Sequence, residues 1–161
     1  MEELKHKDNT VEKLKEELEM RGKYYFKGFG ACFSGLRIDL RTFIEFEATP
    51  GIEKHSRELL STIVNLYQSI PFEQIINHPD YDLLLEIKEA ISRLVPEVES
   101  VLNGKKSIKE TENIIKIISE KGLEYRARLK ALLDQIRLQP GHEKDGFRLT
   151  DIDGKIWRNG I

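Results

Sequence analysis

From Ile108 the seam positions run Ile108, Thr111, Ile115, Ile118, Gly122, Tyr125, Leu129, Leu132 and Ile136, in steps that alternate three and four for four heptads. Only an α-helix returns such positions to one side, so the spacing predicts a long helix with a coiled-coil-like seam. Ser107 with Glu110 forms a capping box at its start, and Gly122 on the seam permits close approach of a neighbour. This is the most regular pattern in the chain.

Two earlier segments repeat the spacing. Ile52, Ser56, Leu59, Ile63, Leu66 and Ile70 follow Thr49-Pro50, with the proline placed where a first helical turn tolerates it. Leu84, Ile87, Ile91, Leu94, Val98 and Val101 make the next stripe; Pro96 is expected to kink or restart that helix, and Asn103-Gly104 to stop it. A short helical turn is expected over residues 72–77. At the N-terminus Leu4, Val11, Leu14 and Leu18 form a stripe, with a capping box at Asn9 and Glu12 and a stop at Arg21-Gly22.

Between these helices the period changes. Leu36, Ile38, Leu40, Thr42, Ile44, Phe46 and Ala48 form one nearly apolar row; Arg37, Asp39, Arg41, Phe43, Glu45 and Glu47 form the other. Strict alternation predicts a half-buried strand. The aromatic stretch 23–33 is its antiparallel partner through Ser34-Gly35. At the far end, residues 147–152 and 155–159 flank Asp153-Gly154, a two-residue hairpin turn. The expected fold is therefore α+β in a single domain, 1–161. It comprises a helix over 1–21, an aromatic hairpin over 23–48, a bundle of three main helices over 49–138, and a C-terminal hairpin over 147–159. The two hairpins are expected to pair into one small sheet.

Composition narrows the function classes. A third of the residues are charged, yet the net charge is only -2, which argues against a dedicated polyanion binder. No apolar run approaches the ~18 residues that span a bilayer, and the first twenty residues are too charged for a signal peptide. One cysteine, Cys32, permits no internal disulfide. These features predict a cytoplasmic protein without a membrane partner, in the host cytoplasm if viral or mobile-element encoded.

The motifs that suggest chemistry do not close. Lys27-Gly28-Phe29-Gly30 opens like the octamer with which RNA-recognition domains stack bases. Ala31 and Ser34, however, stand where that octamer needs aromatics. A dinucleotide fingerprint needs a third glycine where Phe33 stands, and a kinase-type loop lacks its lysine strand. His6, His55, His78 and His142 are scattered, so no metal site is expected. Asp151 to Gly154 echoes a calcium loop but lacks the later acidic ligands. Cys32 and Ser34 are far in sequence from His55 and His78, and Cys32 is expected to be structural. No catalytic residue and no cofactor is assigned.

Charged surface remains. From 105 to 138 nine Lys/Arg face five Asp/Glu, whereas from 80 to 102 six acids face two bases. Two antiparallel helices of opposite charge would complement each other. Alternatively, Lys121, Arg126, Arg128 and Lys130 form a basic partner-binding face. The hairpin offers a second one: a one-residue slip at Ser34-Gly35 would gather Lys27, Phe29, Arg37, Arg41 and Phe43 on a basic, aromatic face of the kind that holds single-stranded nucleic acid. Burial favours the unslipped register, with Phe29 in the core. The leading expectation is a non-enzymatic interaction, regulatory or assembly protein with a protein partner or itself, as a homo-oligomer. The alternative is nucleic-acid binding through the basic face of the long helix and the aromatic hairpin. The third reading is an enzyme or small-ligand binder whose site lies between sheet and helices, where Cys32 or His55 meets an acid.

Overall fold

A computed structural model describes residues 2–46, 50–152 and 155–157, with side chains from Thr10 onward. The described elements are α1 (Glu2–Gly22), β1 (Phe26–Lys27), α2 (Phe29–Phe46), α3 (Pro50–Gln68), α4 (Tyr81–Leu102), α5 (Lys109–Arg137), β2 (Leu149–Asp151) and β3 (Ile156–Trp157). The chain is mostly helical with one small sheet, broadly α+β. Two compact units divide it. The sheet unit comprises Met1–Lys27 with Glu124–Ile161, and the helical unit comprises Gly28–Leu123.

The hairpin expected over residues 23–48 is overturned. Only Phe26–Lys27 is strand, and Phe29–Phe46 is a helix. The reason lies in a second period carried by the same residues. Phe29, Phe33, Leu36, Leu40 and Phe43 advance by four and three, like every other helix of the chain, and Cys32, Phe33, Leu36 and Leu40 are buried. A helix satisfies its own backbone along these eighteen residues, which is longer than strands usually run. The alternating row is cut in two by this choice. Leu36 and Leu40 go inside, while Ile38 and Phe46 remain 58% and 68% exposed. Ala48 lies outside the described residues. The register question at Ser34-Gly35 disappears, because both residues lie inside α2.

In the helical unit α2 packs on α3 and α4, and α3 on α4. The α4 stripe is fully inside: Leu84, Ile87, Ile91, Leu94, Val98 and Val101 are all buried. Pro96 lies within α4, which runs on as one helix to Leu102. The stop at Asn103-Gly104 is a Schellman closure. The Gly104 N–H donates to the Val101 carbonyl at 3.1 Å and the Lys105 N–H to the Ser100 carbonyl at 3.0 Å, with Gly104 at φ 118°. α3 begins on Pro50 as expected, and residues 72–77 form turns instead of a helical turn.

α5 contributes residues to both units. Its capping serine accepts the Lys109 N–H at 3.3 Å, but Glu110 turns to Arg93 of α4 at 3.6 Å instead of closing the box. All seam positions except Gly122 are buried within the chain. A Cβ on Gly122 would meet no atom within 4 Å, so no described neighbour needs that glycine for close approach.

The sheet unit holds the strands in the order β1-β2-β3. β1 pairs parallel with β2, Phe26 opposite Thr150 and Lys27 opposite Asp151. β2 and β3 are antiparallel, Leu149 opposite Trp157 and Thr150 opposite Ile156. The strand after α1 and the C-terminal hairpin thus do form one small sheet. The Asp151 N–H donates to the Lys155 carbonyl at 2.7 Å, next to the expected Asp153-Gly154 turn. Residues 153 and 154 lie outside the described residues.

Two substitutions test this packing. In α2, a Cβ on Gly35 would lie 3.7 Å from Leu59 Cδ1, an ordinary contact. Gly35→Ala is therefore expected to stabilise the protein by about 0.5–1 kcal/mol through helix propensity, read from urea unfolding; a loss of stability would point to a turn at Gly35. The Ser56 hydroxyl is fully buried without a hydrogen-bond partner among the described residues. Ser56→Ala is expected to raise the urea midpoint by roughly 1 kcal/mol equivalent, because an unpaired buried hydroxyl is removed at nearly constant volume.

Candidate interaction surfaces

In the sheet unit, close packing at the end of α1 sets the position of the strands. A Cβ on Gly22 would lie 2.8 Å from Phe147 Cε2, so the glycine lets the Phe147 ring lie directly on the helix end just ahead of β2. The chain then turns, the Tyr25 N–H donating to the Gly22 carbonyl at 3.1 Å. Tyr25 sets its ring edge-on to Tyr125 of α5, centroids 5.5 Å apart, and the Tyr125 hydroxyl donates to the Arg21 carbonyl. Burial pushes the Tyr25 phenol above its ordinary pKa, and the nearby Arg126 charge pulls it partly back. Phe26 is buried while its neighbour Lys27 faces out. Lys27 Nζ stands 4.2 Å from the centre of the Trp157 ring, and Lys23 Nζ 5.7 Å from that of Tyr24.

The basic cluster expected on α5 is largely neutralised. Lys121 pairs with Glu86 of α4 at 2.8 Å, Arg128 with Glu124 at 3.3 Å and Lys130 with Asp134 at 3.0 Å. The charge complementarity expected between α4 and α5 is present in Lys121–Glu86 and Arg93–Glu110. Arg126 is exposed and forms no ion pair with a described residue.

The slipped-hairpin face is absent, because its members fall on different elements. Lys27 lies on β1. Phe29 packs against Phe33 and Tyr67 at centroid distances of 4.6 and 5.4 Å. Arg41 reaches Glu112 at 2.6 Å, Arg37 is exposed on α2, and Phe43 lines a hollow of about 430 Å³ with Ile44 and residues 101–106. Phe29 is half-buried, with its ring against Phe33 and Tyr67 on the helical side of the chain. Sequence reasoning missed Trp157 as the partner of Lys27, since no local signal joins residues 130 apart. It also missed Ile38 and Phe46 as exposed, though their place off the 29-33-36-40 spacing was a readable signal.

Cys32 is buried in α2 with its sulfur 4.0 Å from the Leu59 carbonyl. His55 pairs with Asp39 on exposed helix surface, and His78 Nδ1 accepts the Asp80 N–H at 3.0 Å. His142 Nδ1 lies 2.6 Å from an Asp145 oxygen that Lys15 of α1 approaches at 3.3 Å. Among the described residues, no three His, Cys, Asp or Glu side chains gather as a metal site, and no helix is long and apolar enough to cross a membrane. Compared with protein-family models, curated proteins and solved structures, the chain matches none.

Asp145 ties the loop after α5 to α1, and its carboxyl is held below the usual range, first by the His142 hydrogen bond and then by Lys15. A depressed carboxylate contributes stability above its unfolded pKa, and this is lost as pH falls through the folded value. Asp145→Asn is expected to be less stable than the native chain at neutral pH. In urea unfolding across pH, the gap between the two closes only below the ordinary aspartate range.

Proposed function

We propose that this chain is a non-enzymatic interaction protein, an assembly or regulatory subunit that pairs with a second copy of itself through the outer side of α2. The observation that carries the reading is the exposure of Ile38 and Phe46, large apolar side chains that α2 leaves outside the core. Thr42 stands midway between them. Its hydroxyl donates back to the Ile38 carbonyl at 2.9 Å, so the side chain satisfies its own polar atom and offers its methyl group.

The row Ile38, Thr42, Phe46 is symmetric in spacing, four residues and four. Two copies of α2 crossing antiparallel about Thr42 would set Ile38 of each against Phe46 of the other, the reciprocal arrangement that a two-fold interface requires. The long seam of α5 supplies no competing surface, since its apolar members are already buried.

Light scattering tests the reading. The expected mass at micromolar concentration is twice the 18.7 kDa of the chain. Phe46→Glu and Ile38→Glu should each raise the dimer dissociation constant about 30-fold or more, the cost of a central hot-spot residue. A native chain that stays monomeric at high concentration, or a dimer indifferent to both substitutions, removes this interface.

A further inference from the structure

We propose that the sheet unit carries a binding site for single-stranded nucleic acid, in which Trp157 stacks on a base and the surrounding cations hold the phosphates. The charge of the chain is unevenly divided. The sheet unit holds 15 Lys/Arg against 13 Asp/Glu, whereas the helical unit holds 11 against 15. The net negative charge that argues against polyanion binding therefore belongs to the helical unit.

Within the sheet unit the cations differ in what they do. Arg128 and Lys130 are engaged by carboxylates one turn away on α5. Lys23, Lys27, Arg126 and Lys155 are exposed and form no ion pair with described residues. Two of these four lie over aromatic rings, and the charge of a third is felt by one. Lys27 lies over Trp157, Lys23 over Tyr24, and Arg126 is close enough to Tyr25 to act on its phenol. Asp151, opposite Lys27 in the β1–β2 register, accepts the Lys155 N–H at 2.6 Å on one carboxylate oxygen.

This pairing of unneutralised cations with rings is what an unpaired strand of nucleic acid recognises: π-faces for its bases and fixed positive charge for its backbone. A duplex offers no free base face to Trp157, so the arrangement selects single strands. Trp157 is 45% exposed, and the Lys27 ammonium lies over one face of its ring, 4.2 Å from the centre, so a base would stack on the opposite face with the phosphate contact across the ring. β1 and β3 supply these two residues, and the parallel β1–β2 pairing brings them together. The proposal is independent of the α2 interface, since the two surfaces share no residue.

Trp157 is the sole tryptophan of the chain, so its intrinsic fluorescence reports this site alone. The full chain is titrated at low salt with an oligothymidylate of about ten nucleotides, within the usual span of such sites. Fluorescence is read together with the anisotropy of the labelled oligonucleotide. The expected result is quenching that tracks the anisotropy rise, with log affinity falling against log salt at a slope of up to about -3, the value for four phosphate contacts on a single strand. Trp157→Ala should weaken binding ~10-fold or more by anisotropy, with Trp157→Phe recovering part of the loss. Lys27→Ala should weaken binding and flatten the salt slope, and a duplex of equal length should compete poorly. Unchanged helical circular dichroism shows that the variants fold. Absence of any anisotropy change at low salt overturns the proposal, as does binding that leaves Trp157 unquenched and survives Trp157→Ala.

Discussion

Burial of Phe33, Leu36 and Leu40 along one stripe of α2 is the interaction on which the rest of the arrangement turns. Each such side chain contributes roughly 1.5–3 kcal/mol when fully removed from water. The three lie at helical spacing, so burying them together commits the whole segment from Phe29 to Phe46 to a helix packed on α3 and α4. Two consequences follow directly. Ile38 and Phe46, which share a strand face with Leu36 and Leu40, are rotated to the outside of the helix. Residues Phe26 and Lys27, deprived of an adjacent antiparallel partner, pair instead with β2 from the far end of the chain.

The exposed surfaces arise from the same cause. In the helical unit, the helical period of α2 leaves Ile38 and Phe46 as exposed apolar side chains. In the sheet unit, parallel pairing of β1 with β2 carries Lys27 to Trp157 across 130 residues of sequence. Ion pairing then separates the basic side chains into two groups. Those on α5 with an acid one turn away or on the facing α4 are neutralised. Arg126, with no acid one turn away on α5, and Lys23, Lys27 and Lys155 around the strands form no ion pair with described residues.

Legibility followed the range of the interaction. The stripes of α4 and α5 were readable because burial there repeats every three or four residues and the ends carry their own stop signals, as at Asn103-Gly104. The antiparallel pairing of β2 with β3 was readable from the two short segments on either side of Asp153-Gly154. Residues 29–46 were misread because they satisfy two periods at once, and the alternating one is the more conspicuous. What settles such a case is the length of the segment and the spacing of its largest side chains, Phe29, Phe33, Leu36 and Leu40. The basic cluster on α5 was legible as composition, but its neutralisation was only half so: the partners of Arg128 and Lys130 lie four residues away, whereas that of Lys121 is on another helix.

By itself the sequence determined a chain dominated by amphipathic helices, with a long final helix, a glycine stop at Gly104 and a short sheet at the C-terminal end. These follow from local periodicity and turn chemistry, which act within a few residues. Tertiary structure decided which side chains of residues 29–46 are covered, because packing on α3 and α4 buries Leu36 and Leu40 and leaves Ile38 and Phe46 outside. It also decided that Lys121 meets Glu86 and that Lys27 meets Trp157, because both contacts join groups distant in sequence.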